Sequence, residues 1–325
     1  APAPGATARR AGKDALPRSP GVLADDHIAE AGRKILRFHF TRMLAREAGT
    51  RGGAKIEDLH GMRVATRRMR AGWRIFGDAF RPGRTRRLRS RLRTVAARLG
   101  AVRDLDVLLE GLEAYRADLP AGERDQLEPL RTAWGEYRDD ARELLMHELD
   151  SDGYARFVED LRAFVQTEGV AVRDVGPTEP HHVRDTAPSR IWAAYERLRA
   201  YEPVLRWADV ETLHDLRIAA KWLRYSIEFV REPLGADAEL LIPRVVALQD
   251  HLGLMHDADV TAAMIRRFLG ERSGTLSSPE AAAAGRYLVA QEREVGRLRR
   301  TVGAPWRGVA GATFRRRLGR AVSSL

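Results

Sequence analysis

The stretch LHGMRVATRRMR, residues 59–70, stacks a histidine and three arginines along one line if it is helical. His60, Arg63, Arg67 and Arg70 recur at three- and four-residue steps, the spacing of neighbours on a helix face. Such a stripe repels itself, so it needs anionic neighbours or an anionic ligand. Its own helix supplies no anions, because no Asp or Glu lies between Arg63 and Arg74. Arginine presents a planar fork of donors that matches phosphate oxygens two at a time. The chemistry expected of these residues is therefore the holding of phosphate-like anions rather than bond making.

The same pattern occurs again. LHDLRIAAKWLR, residues 213–224, repeats it with a shift of 154 and sets out His214, Arg217, Lys221 and Arg224. A second landmark, LGAVRDLDVL at 99–108, returns as LGLMHDADVT at 252–261 with a shift of 153. Two landmarks at nearly one offset imply duplication of a unit of about 150 residues. Copy one is expected over 22–168 and copy two over 186–325. Residues 169–185, GVAVRDVGPTEPHHVRD, lack periodicity and read as the linker. Residues 1–21 lack the apolar segment of a signal peptide and read as a disordered leader.

Composition narrows the function classes. The net charge is +11 with 9 histidines counted neutral, and all but four of the 56 Lys and Arg residues are arginine. This balance favours a polyanionic partner. A GC-rich genome also raises the Arg:Lys ratio, but it does not explain where the arginines sit. Cysteine is absent, which excludes disulfides, thiolate zinc sites and a cysteine nucleophile and fits a reducing cytoplasm. No apolar run approaches the roughly 18–20 residues of a membrane span, so a membrane partner is not expected.

Nearly all of the chain after the leader carries helical periodicity, and no stretch alternates as a strand would. The expected helices are 22–48, 56–80, 84–99, 102–118, 122–149, 152–168, 186–206, 210–232, 237–251, 256–270, 278–301 and 304–321. In copy one the core stripe is Leu59, Met62, Met69, Trp73, Phe76 and Phe80. In copy two it is Leu213, Leu216, Leu223, Ile227, Val230 and Leu234. The basic stripe, extended by Arg74, falls one residue past the core stripe, about 100° around the helix. The cations therefore flank the core, where a groove between helices would form. Copy two carries Glu228 at the place of Arg74, so its stripe is shorter. A solvated flank, with arginine stems covering apolar surface, is the plainer reading of such residues. Retention of the stripe in both copies argues for the groove.

Other cations could join it. Arg84, Arg87, Arg91 and Arg98 share one face of 84–99; Arg244 and His251 occupy related places in 237–251; Lys34 and Arg37 lie on the first helix. Arg103 and His256 pair across the copies. Asp104 and Asp106, with Asp257 and Asp259, read as N-cap and first-turn carboxylates that also hold nearby arginines. Trp73, Trp192 and Trp222 read as packing residues rather than base-stacking platforms.

At these two motifs, LHGMRVATRRMRAGWRIF and LHDLRIAAKWLRYSIEFV, each followed by LG..RD.D or LG..HD.D, the chain resembles the CHAD family, the conserved histidine α-helical domain. The resemblance covers most of residues 22–325. It implies an all-α fold: two tandem four-helix-bundle repeats, a duplicated up-down bundle, with pseudo-twofold symmetry and a basic central groove, together one CHAD domain. It further implies binding of inorganic polyphosphate, with no cofactor, and a place on cytoplasmic polyphosphate granules. By motif match the family's histidines are His60, His214 and His256, and its basic positions are Arg63, Arg67, Arg70, Arg217, Lys221 and Arg224. Arg103 departs from the pattern by standing where copy two has His256.

The expectation is thus a polyphosphate-binding protein rather than an enzyme. The full expected set is His60, Arg63, Arg67, Arg70, Arg74, His214, Arg217, Lys221, Arg224, Lys34, Arg37, Arg91, Arg98, Arg103, Arg244, His251 and His256. Two alternatives compete. His214, Asp215, His256 and Asp257 could form a metal-dependent phosphohydrolase centre, but copy one has Gly61 and Arg103 at two of those places. The basic tail, Arg315, Arg316, Arg317 and Arg320, suits nucleic acid, a weaker second partner. No P-loop, G-x-S-x-G or Glu-x-Glu-x-Lys motif occurs. Reversing charge in Arg63→Glu with Arg217→Glu is expected to abolish polyphosphate binding while circular dichroism shows unchanged helicity.

Overall fold

The computed structural model describes residues 16–53 and 55–325. The described residues form helices joined by turns, with no strand beyond isolated bridges. In chain order they are α1 (Ile28–Gly52), α2 (Ile56–Phe76), α3 (Pro82–Ala117), α4 (Ala121–Asp125), α5 (Glu128–Asp150), α6 (Asp152–Gln166), α7 (Val183–Arg199), α8 (Val210–Glu228), α9 (Arg231–Leu234), α10 (Ala236–Glu271), α11 (Ser278–Thr301), α12 (Gly303–Ala310) and α13 (Ala312–Ser323). The all-α class expected from periodicity is the class observed.

Local chemistry explains most boundaries. Gly53 closes α1 in the left-handed region at φ 69°, where a side chain would be strained. Pro82 opens α3 at a position that needs no backbone donor. The Asp209 carboxylate accepts the Thr212 backbone N–H at 2.8 Å to start α8, and Ser277 with Glu280 forms a reciprocal cap on α11.

Several expected boundaries are corrected. The breaks expected near 99–102 and 251–256 do not exist: α3 and α10 each run 36 residues without interruption. That length corresponds to about 54 Å. Asp104, Asp106, Asp257 and Asp259 are therefore mid-helix residues and cap nothing. The expected helix 122–149 is split before Pro129, and 304–321 is split at Gly311, whose ψ of 156° leaves the helical region. The segment expected at 186–206 stops at Arg199, ahead of Pro203.

Every residue of the two expected core stripes is buried. The main core is continuous across both copies: Phe76 on α2 lies 6.1 Å from Phe229, just past α8. A second, smaller cluster joins the C-terminal half of α3 to that of α10 through Leu108, Leu112, Trp134, Ile265, Phe268 and Tyr287. The two long helices are thus tied at both ends.

The stretch between the copies is pinned. Arg81 N–H donates to the Ala171 carbonyl at 2.8 Å, Arg173 N–H to Ala79 at 2.9 Å, and Ile28 N–H to His181 at 2.7 Å. Of the expected leader, residues 1–15 lie outside the described residues. Residues 16–21 are held on the body: the Pro17 carbonyl accepts from Arg42 at 2.8 Å, and Gly21 N–H donates to Glu232 at 3.2 Å.

The α1–α2 contact is close at Gly32, where an added Cβ would stand 2.7 Å from the Cβ of Phe76. Gly32→Ala is expected to destabilise the fold by about 1–3 kcal/mol. A lowered urea midpoint at unchanged slope would register it.

Candidate functional site

On both α2 and α8 the basic stripe follows the buried stripe by one residue. His60, Arg63, Arg67, Arg70 and Arg74 follow the buried Leu59, Met62, Thr66, Met69 and Trp73. His214, Arg217, Lys221 and Arg224 follow the buried Leu213, Leu216, Ala220 and Leu223. The two stripes meet. The Lys221 ammonium is pushed below its ordinary pKa, first by burial and then by Arg217, Arg67, Arg70 and Arg74. Arg217 is likewise lowered by burial, with Arg67 and Arg63 adding to the effect and Asp257 opposing it. Cations from both copies therefore share one field.

Arg63 Nε lies 3.9 Å from where a Cβ on Gly100 would stand, and Arg217 Nε lies 4.0 Å from the same point at Gly253, so each arginine stem crosses a long helix at its Leu-Gly step in ordinary contact. Arg63 also donates to Asp104 at 2.8 Å. The buried Asp106 accepts from Arg138 at 3.0 Å. These aspartates do hold arginines, as expected, although from mid-helix.

The groove deepens into a pocket of about 380 Å³ lined by Arg67, Arg70, Arg74, Arg89, Arg93 and Lys221, with Trp222 as a wall. The Arg74 guanidinium lies 4.2 Å and the Lys221 ammonium 5.0 Å from the centre of the Trp222 ring. That face of Trp222 is taken by cations, while Trp73 is buried in the core.

At the other end of the stripes are the histidines. His214 Nδ1 and His256 Nδ1 are 3.3 Å apart, so one ring carries the proton and the other accepts it. Packing lowers the His256 pKa, then Arg217 and His214 lower it further, against Asp257 and Asp259. His60 is lowered by packing and then by Arg103, Arg67 and Arg63. Arg103 itself pairs with Glu110 at 2.8 Å. Among the described residues no group of three His, Asp or Glu side chains is arranged to hold a metal.

Seven of the expected residues are placed elsewhere or neutralised. Lys34 is bound to Asp26 at 2.7 Å and to the Gly21 carbonyl. Arg37 is exposed on α1, outside the pocket. Arg91 pairs with Glu148 at 2.9 Å on the α5–α6 side. Arg244 lines a separate pocket with Arg307 and Arg317 beside α12 and α13. His251 bonds the Leu298 carbonyl at 2.8 Å. Arg224 is held by Glu228 at 2.5 Å. Arg98 is half-buried on α3, outside the pocket. The physical reason is common to four of them. Arg91, Arg98, Arg244 and His251 precede the buried Leu92, Leu99, Val245 and Leu252, so they emerge on the flank facing away from the groove. Arg89 and Arg93 were missed, yet they follow the buried Leu88 and Leu92. The rule that located the α2 stripe, applied to α3, finds them. Of the basic tail, Arg317 and Arg320 approach Asp237 at 3.4 Å and 3.3 Å.

The CHAD domain family profile matches residues 34–266. The chain belongs to the CHAD domain family. The CHAD domain from the plant Ricinus communis superposes with a TM-score of 0.72 at 22% identity, covering 91% of this chain and 97% of that one. PptA from Streptomyces chartreusis superposes with a TM-score of 0.69 at 17% identity, covering 87% of this chain and 100% of that one. At these identities the likeness is one of fold. No curated protein matches the chain. In this CHAD domain, among the described residues, no helix is long and apolar enough to cross a membrane.

The electrostatics of the histidine pair can be measured directly. In an NMR titration the His256 ring is expected to have a midpoint below 6.5. Arg217→Ala removes a cation and should raise it, whereas Asp257→Asn removes an anion and should lower it further.

Proposed function

We propose that this CHAD domain binds inorganic polyphosphate in the groove between α2 and α8, as a binding protein rather than an enzyme, and acts at polyphosphate granules in the cytoplasm. One observation carries the reading. Six cations, Arg67, Arg70, Arg74, Arg89, Arg93 and Lys221, line one pocket, and none of them forms an ion pair among the described residues. A linear polyanion with charge on every unit and no bases to recognise matches a cationic trough without free aromatic faces. The arginines would hold phosphate oxygens in pairs, and Lys221 would act as a point charge.

The metal-hydrolase alternative receives no support from the geometry. His214 and His256 face each other, and the charge of Arg217 bears directly on His256 and Asp257. The nucleic-acid alternative rests on a tail whose charge Asp237 partly offsets. Long polyphosphate should displace duplex DNA of equal charge rather than the reverse.

Binding should couple to protons. His60 and His256 bind protons weakly in the free protein, first because burial disfavours the charged ring and then because of nearby cations, and bound phosphates would oppose the second effect. Raising a histidine pKa on binding means proton uptake, so affinity rises as pH falls from about 8 to about 6. Calorimetry in buffers of different ionisation enthalpy should show that uptake. The decisive variant is Arg67→Glu with Lys221→Glu, expected to weaken polyphosphate binding by about 100-fold or more. Binding at wild-type strength in that variant, with native helicity, would place the site elsewhere.

A further inference from the structure

The pseudo-twofold relation maps each contact at the α2–α8 crossing onto a partner, and one pair of contacts is not alike. Arg74 lies over Trp222 on one side of the crossing. A shift of 154 turns Arg74 into Glu228 and Trp222 into Arg68. On the other side, Glu228 meets Arg68 at 3.1 Å and Arg224 at 2.5 Å. The same crossing therefore ends in a free cation on the copy-one side and in a neutralising carboxylate on the copy-two side.

The long helices repeat the asymmetry. On α3 the groove-facing flank offers Arg89 and Arg93, and these two with Arg86 line an adjoining pocket of about 390 Å³. Arg86 follows the buried Thr85, so it stands on the same flank. The matching places on α10, at a shift of 153, hold Ile242 and Val246. Cations do lie on this side: Arg68 meets Glu228, and Arg42 is pushed below its ordinary pKa by burial and then by Arg68 and Arg231. They are engaged or covered: Arg68 on Glu228, and Arg42 stacked 3.6 Å above Phe38 with its donor on the Pro17 carbonyl. Residues 16–21 pass over this side; Gly21 is tied to Glu232 beside Arg231.

We propose that the trough is open at one end only: a phosphate polymer leaves the α2–α8 crossing past Arg74 along Arg89, Arg93 and Arg86 of α3, while Glu228, clamped by Arg68 and Arg224, closes the opposite exit. This rests on the polyphosphate reading above and adds to it a direction and a second subsite. The subsite on α3 continues from Arg89 and Arg93 to Arg86 and holds chain beyond the crossing, so it matters more for long ligands than for short ones. Glu228 acts as a stop because a phosphate arriving there meets a carboxylate already holding the local guanidinium groups.

The test titrates the full chain with tripolyphosphate and with long-chain polyphosphate across a range of salt. Arg89→Ala with Arg93→Ala should weaken long-chain binding about tenfold and flatten its salt dependence by about one unit of slope or more. It should weaken tripolyphosphate binding by clearly less, because Arg67, Arg70, Arg74 and Lys221 remain in the pocket. The mirror-side variant, Arg42→Ala with Arg231→Ala, should change long-chain binding by less than about twofold. Glu228→Gln should tighten long-chain binding, because it releases Arg68 and Arg224. The inference is overturned if the two arginine pairs weaken binding equally, if the α3 pair has no effect, or if Glu228→Gln leaves long-chain affinity unchanged. Each of those results is compatible with polyphosphate binding at the crossing. Retention of binding by the Arg67→Glu, Lys221→Glu variant is the separate result that removes the underlying reading.

Discussion

Mutual repulsion across the α2–α8 crossing is the constraint around which this molecule is arranged. Beyond the effect of burial, Arg67 lowers the proton affinity of Arg217, and Arg217 and Arg67 lower that of Lys221. Two unit charges ~7 Å apart at an effective dielectric constant of ~20 repel by ~2 kcal/mol. The apolar stripes beneath them hold the helices together regardless. Each fully buried Leu or Met contributes about 1.5–3 kcal/mol, and Leu59, Met62 and Met69 on α2 with Leu213, Leu216 and Leu223 on α8 are buried on either side of the smaller Thr66 and Ala220. The stability of the fold therefore holds open a field that the fold itself does not neutralise.

Acids are distributed to serve that end. Asp104, Glu110 and Asp257 stand near the histidine end, where they position Arg63, Arg103 and Arg217 without reaching the middle. Glu228 stands at one exit. The pocket between has no carboxylate in its lining. The stems of Arg63 and Arg217 cross α3 and α10 at corresponding places, beside Gly100 and Gly253.

Much of the fold was legible because packing residues and cationic residues keep a strict phase. The two core stripes were read without error, since a helix offers no other way to bury residues at three- and four-residue steps. The boundaries failed where local and tertiary preferences compete. Leu-Gly reads as a helix end, yet α3 and α10 continue through it, because Leu99 and Val102, like Leu252 and Met255, are held in the core on both sides of the glycine. The reading of Asp104 and Asp257 as caps failed with it. Among the candidate site residues, Arg67, Arg70 and Arg74 of α2 line the pocket, whereas Arg91, Arg98, Arg244 and His251 lie outside its lining. In RTRRLRSRLR arginines surround the helix, so spacing alone selects no face; only the buried Leu88 and Leu92 show which arginines turn toward α2.

The sequence by itself determined the helical class, the recurrence of two motifs at nearly one offset, the core stripes and the presence on α2 of a cationic line that no acid between Arg63 and Arg74 offsets. These follow from periodicity and from nearest-neighbour charge along one helix, and both are properties of a linear string. Only the tertiary structure decided which cations share a space and which meet an acid from elsewhere. Lys34 found Asp26, Arg91 found Glu148, and Arg68 with Arg224 enclosed Glu228, while Arg89 and Arg93 stayed unpaired beside Arg74. Electrostatic energy depends on distance through space, and that distance is set by how helices far apart in the chain pack against a common core.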